Sequence, residues 1–256
     1  MRQLRDIWRY RELLVELTRS QMKLRHAGSL LGVVWTLLSP AAFIALYWFL
    51  FTRVVDVGIE RYLLYLIPGY LAWNFTVGAL QNSTSLMEES KQLFPKIAFP
   101  HEIVVLAGVA VMLADFLIAL AMFLAAALMM GPAIPVTAAL FPLVLVLHSA
   151  FVLGICLIVA GAAVYYRDVS RLLPILAMLL FFLTPVFYSL ESIPPRTRTW
   201  AWLNPLTVYV ELYHSLFHAG TLQLPLLAAG LVVAAVSLAG GLLVFRRIKP
   251  AFAELS

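Results

Sequence analysis

Charge is scarce in this sequence of 256 residues. Asp, Glu, Lys and Arg make up 12% of it, about half the ~25% of an ordinary soluble domain, while 63% is hydrophobic. A soluble fold of this size needs far more polar surface, so a bilayer must solvate the excess. Cysteine is nearly absent as well. Cys156 stands alone in an apolar run, which excludes a disulfide framework and a cysteine-based zinc site and leaves the role of a small buried hydrophobe. No G-x-x-x-x-G-K-[ST] motif occurs, so the chain has no phosphate-binding loop, and work driven by ATP would have to come from a partner. A secretory signal is also lacking: the basic N-terminal stretch is long, acidic residues interrupt it, and no small-residue cleavage site follows a short apolar core. The repeated intramembrane charges and paired broken helices of ion-coupled transporters are missing, and there is no internal repeat of fixed period.

What is present is a series of apolar runs. A helix needs roughly 20 apolar residues to cross about 30 Å of hydrocarbon. Runs of that kind predict spans at about 30–52, 62–87, 103–130, 137–164, 172–190 and 222–245, with Gly131, Pro132 and Pro135 separating the third from the fourth. The expectation is an all-α polytopic membrane protein, one transmembrane domain of six helices. The net charge of +5 is a topology signal and not a nucleic-acid patch. With the N-terminus inside, inner segments hold fourteen Lys and Arg, seven of them within 1–29, against four outside: Arg53, Arg61, Arg196 and Arg198. The excess of inner basic residues orients both termini to the cytoplasm.

Three segments are neither span nor simple loop. In 1–28, Leu4, Ile7, Leu14 and Leu17 recur at helical spacing, with Trp8 and Tyr10 nearby. That pattern predicts an amphipathic helix on the cytoplasmic leaflet, with a disordered basic tail as the alternative. Gly28 and Gly32 form a small-xxx-small pair. The cytoplasmic segment 88–102 sets Leu93, Phe94 and Phe99 among Lys91, Lys96 and Glu102, with Pro95 and Pro100 fixing the backbone. Pro100 suits the first position of the next helix. An apolar knob with a charged rim suits docking into a partner's groove; an amphipathic turn in the headgroup zone is the bland alternative. The outer segment 191–220 is long for a loop. Asn204-Pro205 is a helix start and Gly220 a stop. The helix between them is too short to cross, which predicts re-entrant outer helices, a second one near 195–203, lying over a pathway.

Candidate chemistry is thin. His214 and His218 stand at i, i+4, a spacing that binds metals, but no cysteine accompanies them. With Thr207, Glu211 and Ser215 they read as a solvated stripe, opposite Leu206, Tyr209, Tyr213 and Phe217. Asp115 is the carboxylate deepest in a predicted span; it is either functional or neutralised in a helix–helix hydrogen bond. One acid with no base near it in sequence is a poor start for acid–base catalysis. Asn82-Ser83-Thr84 matches a glycosylation acceptor but falls on the cytoplasmic side. Aromatic residues crowd the spans: Trp35, Tyr47, Trp48, Tyr70, Trp73, Phe75, Phe181, Phe182 and Phe187. Their faces suit sugar rings, and belt anchoring or core packing would use them equally well.

The motifs in order resemble the type-2 ABC transporter permeases of the polysaccharide and polyol-phosphate export group. They run from Lys23-Leu-Arg-His-Ala-Gly-Ser-Leu-Leu-Gly32, with Trp35 and Pro40 following, to Leu93-Phe-Pro-Lys-Ile-Ala-Phe-Pro-His-Glu102. Tyr166-Arg167-Asp168, Thr184-Pro-Val-Phe-Tyr188, Asn204-Pro205 and Phe245-Arg-Arg-Ile-Lys-Pro-Ala-Phe-Ala-Glu254 complete the series. Family members often have a tyrosine after the Lys-x-Arg, where this chain has His26. The resemblance covers essentially the whole chain. It implies a permease in the bacterial inner membrane, working as a homodimer with two copies of a separate ATPase that binds ATP and Mg. It makes Lys91, Leu93, Phe94, Pro95, Lys96, Phe99, Pro100 and Glu102 the ATPase-coupling segment, with Tyr166, Arg167 and Asp168 a cytoplasmic loop motif. Asn204, Pro205, Tyr209, Tyr213, His214 and His218 become outer-gate residues. Trp35, Tyr47, Trp48, Tyr70, Trp73 and Asp115 are candidates for channel or glycan contact. The implied cargo is a lipid-linked glycan of O-antigen, capsule or teichoic-acid type; catalysis and a resident metal or cofactor are not expected. Alternatives are the same fold exporting a drug or small lipid, and a membrane-embedded transferase acting on lipid-linked sugars.

Overall fold

A computed structural model describes residues 9–26, 34–90, 100–130, 134–166 and 168–249. Outside them lie Leu4, Ile7, Trp8, Gly28, Gly32, Gly131, Pro132, Arg167 and, in the coupling segment, Lys91, Leu93, Phe94, Pro95, Lys96 and Phe99. The described residues are helical and contain no strand. In chain order the helices are α1 (Arg11–His26), α2 (Val34–Phe49), α3 (Tyr62–Ser90), α4 (Glu102–Met130), α5 (Phe141–Ala163), α6 (Asp168–Leu183), α7 (Pro195–Trp202), α8 (Pro205–His214) and α9 (Leu224–Ile248). Among the described residues, five helical stretches are long and apolar enough to cross a membrane: Leu37–Val54, Tyr62–Ser90, Glu102–Ala127, Val136–Ala163 and Leu224–Ile248. The protein is therefore a multi-pass membrane protein.

The run expected at 172–190 is divided. α6 has 16 residues, which at 1.5 Å each reach about 24 Å. It stops at Leu183 because Thr184 precedes Pro185, and a residue before proline is driven out of the helical region. Thr184 Oγ1 turns back to donate to Leu180 O at 2.6 Å. α6 also begins earlier than its apolar run, at Asp168, whose carboxylate is favourably placed in a first helical turn.

α1 is two-faced. Tyr10, Leu13, Leu14, Leu17, Thr18, Gln21 and Met22 are half-buried, the residues between them are exposed, and the helix lies against α4. The body of the molecule is α3, α4, α5, α8 and α9. Its most extensive contact is α5 with α9, and small residues set that distance. A Cβ at Gly154 would run into the backbone of Ser237, and one at Gly241 into the backbone of Gly154. Without a hydrophobic drive between helices in lipid, such close backbone approach is what holds spans together. α9 buries Leu226, Gly230, Ala234, Gly241 and Phe245, packs Leu227, Val233 and Leu242 partly against the core, and leaves its other face exposed.

α2 stands apart. Only 6% of its apolar stretch is buried within the chain. Between α6 and α9, α7 and α8 form a short helical hairpin. Asn204 caps α8 by accepting from Leu206 N (3.1 Å) and donates from Nδ2 to Thr184 Oγ1 (2.8 Å). One side chain thus starts α8 and ties it to the break after α6. The π-helical turn Ser215–Ala219 extends α8 and ends at Gly220, whose φ of +69° is the left-handed conformation glycine adopts without strain.

Candidate functional site

The standing-off of α2 and the shortness of α6 leave a cavity of about 570 Å³ between them and the body. Trp35, Phe43 and Tyr47 of α2, Tyr70 and Trp73 of α3 and Phe181 and Phe182 of α6 give it an aromatic wall. The rings are in register: Trp73 lies 4.6 Å from Phe181, Tyr47 5.4 Å from Phe181, and Phe43 6.3 Å from both Tyr47 and Tyr70. Pro40 of α2 and Pro174 of α6 border it too. An internal proline removes a helical hydrogen bond and bends the helix, which suits two helices that must diverge from the body. Trp73 lines the cavity, and its buried indole N–H has no hydrogen-bond partner among the described residues. A buried donor left unmatched costs free energy.

At one end of the aromatic wall lies an ion pair. Arg25 of α1 reaches Asp115 of α4, Nη1 to Oδ2 at 2.7 Å, and the same nitrogen is 2.9 Å from Met112 Sδ. Asp115 is thus the acid of a pair with a cation from the amphipathic helix. The Arg25 side chain is 44% exposed and that of Asp115 10%, so the pair forms a wall of the cavity rather than a sealed core. Arg25, Gly78, Gln81 and Met112 also border a second cavity of about 470 Å³, whose lining of Gln21, Asn82, Ser85 and Glu89 is polar. The two cavities share Arg25, Gly78, Gln81 and Met112, so Arg25 borders both an aromatic lining and a polar one.

The structure therefore brings together Trp35, Tyr47, Tyr70, Trp73 and Asp115 from three helices. Trp48 is separate: it borders an apolar groove on the other side of α2, with Ile44, Leu63, Ile67 and Phe123. Sequence reasoning missed Arg25 as the partner of Asp115, together with Phe43, Asn74 and Gln81. No local pattern joins Arg25 to Asp115, since 90 residues separate them.

The outer-gate candidates sit deeper than a solvated stripe allows. Thr207, His214 and Ser215 are buried, as are Tyr209 and Tyr213 on the opposite face, so α8 is enclosed all round. Thr207 donates to Ala201 O at 2.7 Å. His214 stacks on Tyr65 at 3.6 Å between centroids, with Nδ1 3.5 Å from Glu211 Oε1. His218 Nε2 lies 2.8 Å from Glu60 O, to which only an N–H can bond.

The ends of segment 88–102 are anchored inward. Glu102 is buried and accepts from Lys249 Nζ at 2.9 and 3.1 Å; Pro100, two residues before α4, offers its carbonyl to Ile103 N at 3.0 Å. Burial and the Lys249 ammonium hold the His101 imidazole below its ordinary range, Glu102 opposing, so the cluster balances one cation against one anion. At the other end, Ser170 Oγ donates to Glu88 Oε1. Tyr166 is exposed, and Asp168 makes an exposed pair with Arg171 at 3.6 Å, of the kind that contributes little.

Residues 12–218 match the family described as ABC-2 type transporter. The chain belongs to the ABC-2 type transporter family. Relatives extend the likeness over nearly the whole length. The O-antigen export system permease protein RfbA of Klebsiella pneumoniae is 27% identical over 249 residues, 95% of each chain. The protein of the same name from Myxococcus xanthus is 29% identical over 220 residues, 85% of each. As an ABC-2 transporter subunit the chain is a transport component and not an enzyme, and its family works with an ABC-type ATPase.

Proposed function

We propose that this chain is the membrane-spanning permease of an ATP-driven exporter that moves a lipid-linked polysaccharide of O-antigen type across the bacterial inner membrane. The observation that carries the cargo is the aromatic cavity bordered by the Arg25–Asp115 ion pair. Flat apolar faces bordered by donors are what sugar rings stack on, and a cavity of about 570 Å³ is the size of a small-molecule site. The names of the relatives point the same way.

On this reading α6, though short, is a sixth span, and the fourteen-to-four distribution of Lys and Arg puts both termini in the cytoplasm. The working unit is a homodimer above two ATPase subunits, which bind ATP and Mg. Segment 88–102 is the coupling element. Support comes from its anchorage: it joins α3 to α4, Glu88 is bonded to the start of α6 and Glu102 to the end of α9, so a push on the segment is delivered to four helices at once. Asn204, Pro205, Tyr209, Tyr213, His214 and His218 belong to the outer gate.

The test is the double variant Phe94→Ala/Phe99→Ala, in which export should be abolished while the protein still inserts at normal levels. Normal export by that variant sinks the coupling assignment. Activity of the purified chain on lipid-linked sugars without any ATPase would revive the transferase alternative.

A further inference from the structure

A hydrogen-bonded chain that the cavity does not use runs through the middle of the bundle. His148 of α5 is fully buried. Its Nε2 lies 2.8 Å from Thr76 Oγ1 on α3, and its Nδ1 3.2 Å from the Tyr213 hydroxyl on α8. We assign the direction that leaves every group satisfied. In it Thr76 gives its hydroxyl proton to Ala72 O, 3.1 Å away, Nε2 carries the ring proton and donates to Thr76, and Nδ1 accepts from Tyr213. The order Tyr213, His148, Thr76, Ala72 leaves no link unmatched. Packing fixes the ring as well: Tyr209 stacks on it at 4.8 Å and Phe75 meets it edge-on at 5.2 Å.

A second contact of α8 with α3 lies on the same side. Gly69 has no side chain where the His214 ring sits; a Cβ there would come 2.5 Å from its Nε2. Thr76 is seven residues on, about 10 Å along the helix. α3 thus grips the short outer helix at two heights, once by fit and once by a directed chain through His148. Apolar contacts slide past one another at little cost, whereas a directed hydrogen-bonded chain in a low-dielectric interior does not.

We propose that His148 is a positioning residue of the transport cycle, which ties α8 to α3 so that displacement of α3 at its coupling-segment end moves the outer gate. This rests on the reading of 88–102 as the coupling element. The bland alternative is a satisfied core histidine that braces the fold and transmits nothing.

The experiment uses the intact permease–ATPase complex and reads glycan exported per ATP hydrolysed, with complex abundance measured alongside. Tyr213→Phe removes the donor, Thr76→Val the acceptor, and Thr76→Ser keeps the hydroxyl. Export per ATP should fall about threefold to tenfold in the first two, as for loss of one buried hydrogen bond, and stay at the parent value in Thr76→Ser. If export and hydrolysis instead fall together with complex abundance, at an unchanged ratio, His148 is a brace and the proposal is overturned. Should Tyr213→Phe fail to assemble, the near-isosteric Thr76→Val carries the test. The Phe94→Ala/Phe99→Ala variant separates the two ideas: normal export there removes the coupling reading, whereas an unchanged ratio in Tyr213→Phe removes only the role of His148.

Discussion

Tyr209 and Tyr213 of α8 and Tyr47 of the cavity are the same residue type in different circumstances. Around α8 every ring is closed in: Tyr209 and Tyr213 are fully buried, and the Tyr209 hydroxyl donates to Gly230 O at 2.8 Å. Around the cavity the rings are stacked equally well, yet their edges face space, and the Trp73 N–H has no protein partner among the described residues. Aromatic content therefore does not separate core from pathway. The neighbours do. α8 lies against Gly69 and Gly230, small residues that let backbone close in. The cavity lies between α2 and α6, which carry internal prolines and large exposed side chains. One region closes protein around its rings, and the other leaves its rings lining an open cavity.

The sharpest way to break this contrast is to fill the closed region. In Gly154→Leu the new side chain would meet the backbone of Ser237, which cannot rotate away as a side chain could. Overpacking a tight core costs about 1–3 kcal/mol and occasionally more, and here it should prevent assembly, read as loss of folded protein from the membrane. Gly240→Ala, next to Gly241 on α9 but with nothing within 4 Å of the added Cβ, should leave the melting temperature in detergent unchanged. Equal effects would mean that α5 and α9 are not packed on their glycines.

A smaller effect is expected at the cytoplasmic edge of the body. Glu102→Ala leaves Lys249 without its carboxylate. Breaking a fully buried pair costs about 3–5 kcal/mol, but the Lys249 side chain is 34% exposed, which lowers the expected loss to about 2 kcal/mol. The double variant Glu102→Ala/Lys249→Ala should recover part of it, and a thermal-unfolding cycle over the four proteins measures the coupling. Additive single effects would show that the pair contributes nothing.

Much of this architecture was legible because bilayers impose length: runs near 20 residues, a basic excess and Asn204-Pro205 are all local signals. What was not legible is what depends on distant partners. The small-xxx-small pair chosen from sequence was Gly28 and Gly32, which lie outside the described residues, while the close contact falls at Gly154 and Gly241. Its trace was present in α9, where Gly230, Ala234, Ser237 and Gly241 recur at helical spacing. The polar stripe of α8 looked solvated because periodicity reports two faces and says nothing of what covers each; Thr207 and His214 are buried against other helices. His148 carried no signal at all. A lone histidine in an apolar run acquires meaning only when Thr76 and Tyr213, from helices 72 residues before and 65 after, arrive beside it.

The smallest change in stability should come from the pair of tryptophans on α2, and they test the pathway most directly. Trp35 and Trp48 are both exposed at the surface of one helix, 52% and 37%, so truncating either removes contact with lipid more than with protein. Each Trp→Ala change should alter stability by no more than about 0.5 kcal/mol, as for surface positions generally. They differ in what they border: Trp35 faces the aromatic cavity beside Ser39 and Phe43, and Trp48 the apolar groove on the other side. If the cavity carries the cargo, Trp35→Ala slows export at constant ATPase abundance and Trp48→Ala does not, because only one of them offers a ring to a passing sugar. If both variants export at the parent rate, the stacked rings are belt anchors. If both slow it equally, α2 acts as a whole, through its attachment to the bilayer, and the division it makes between cavity and groove has no part in transport.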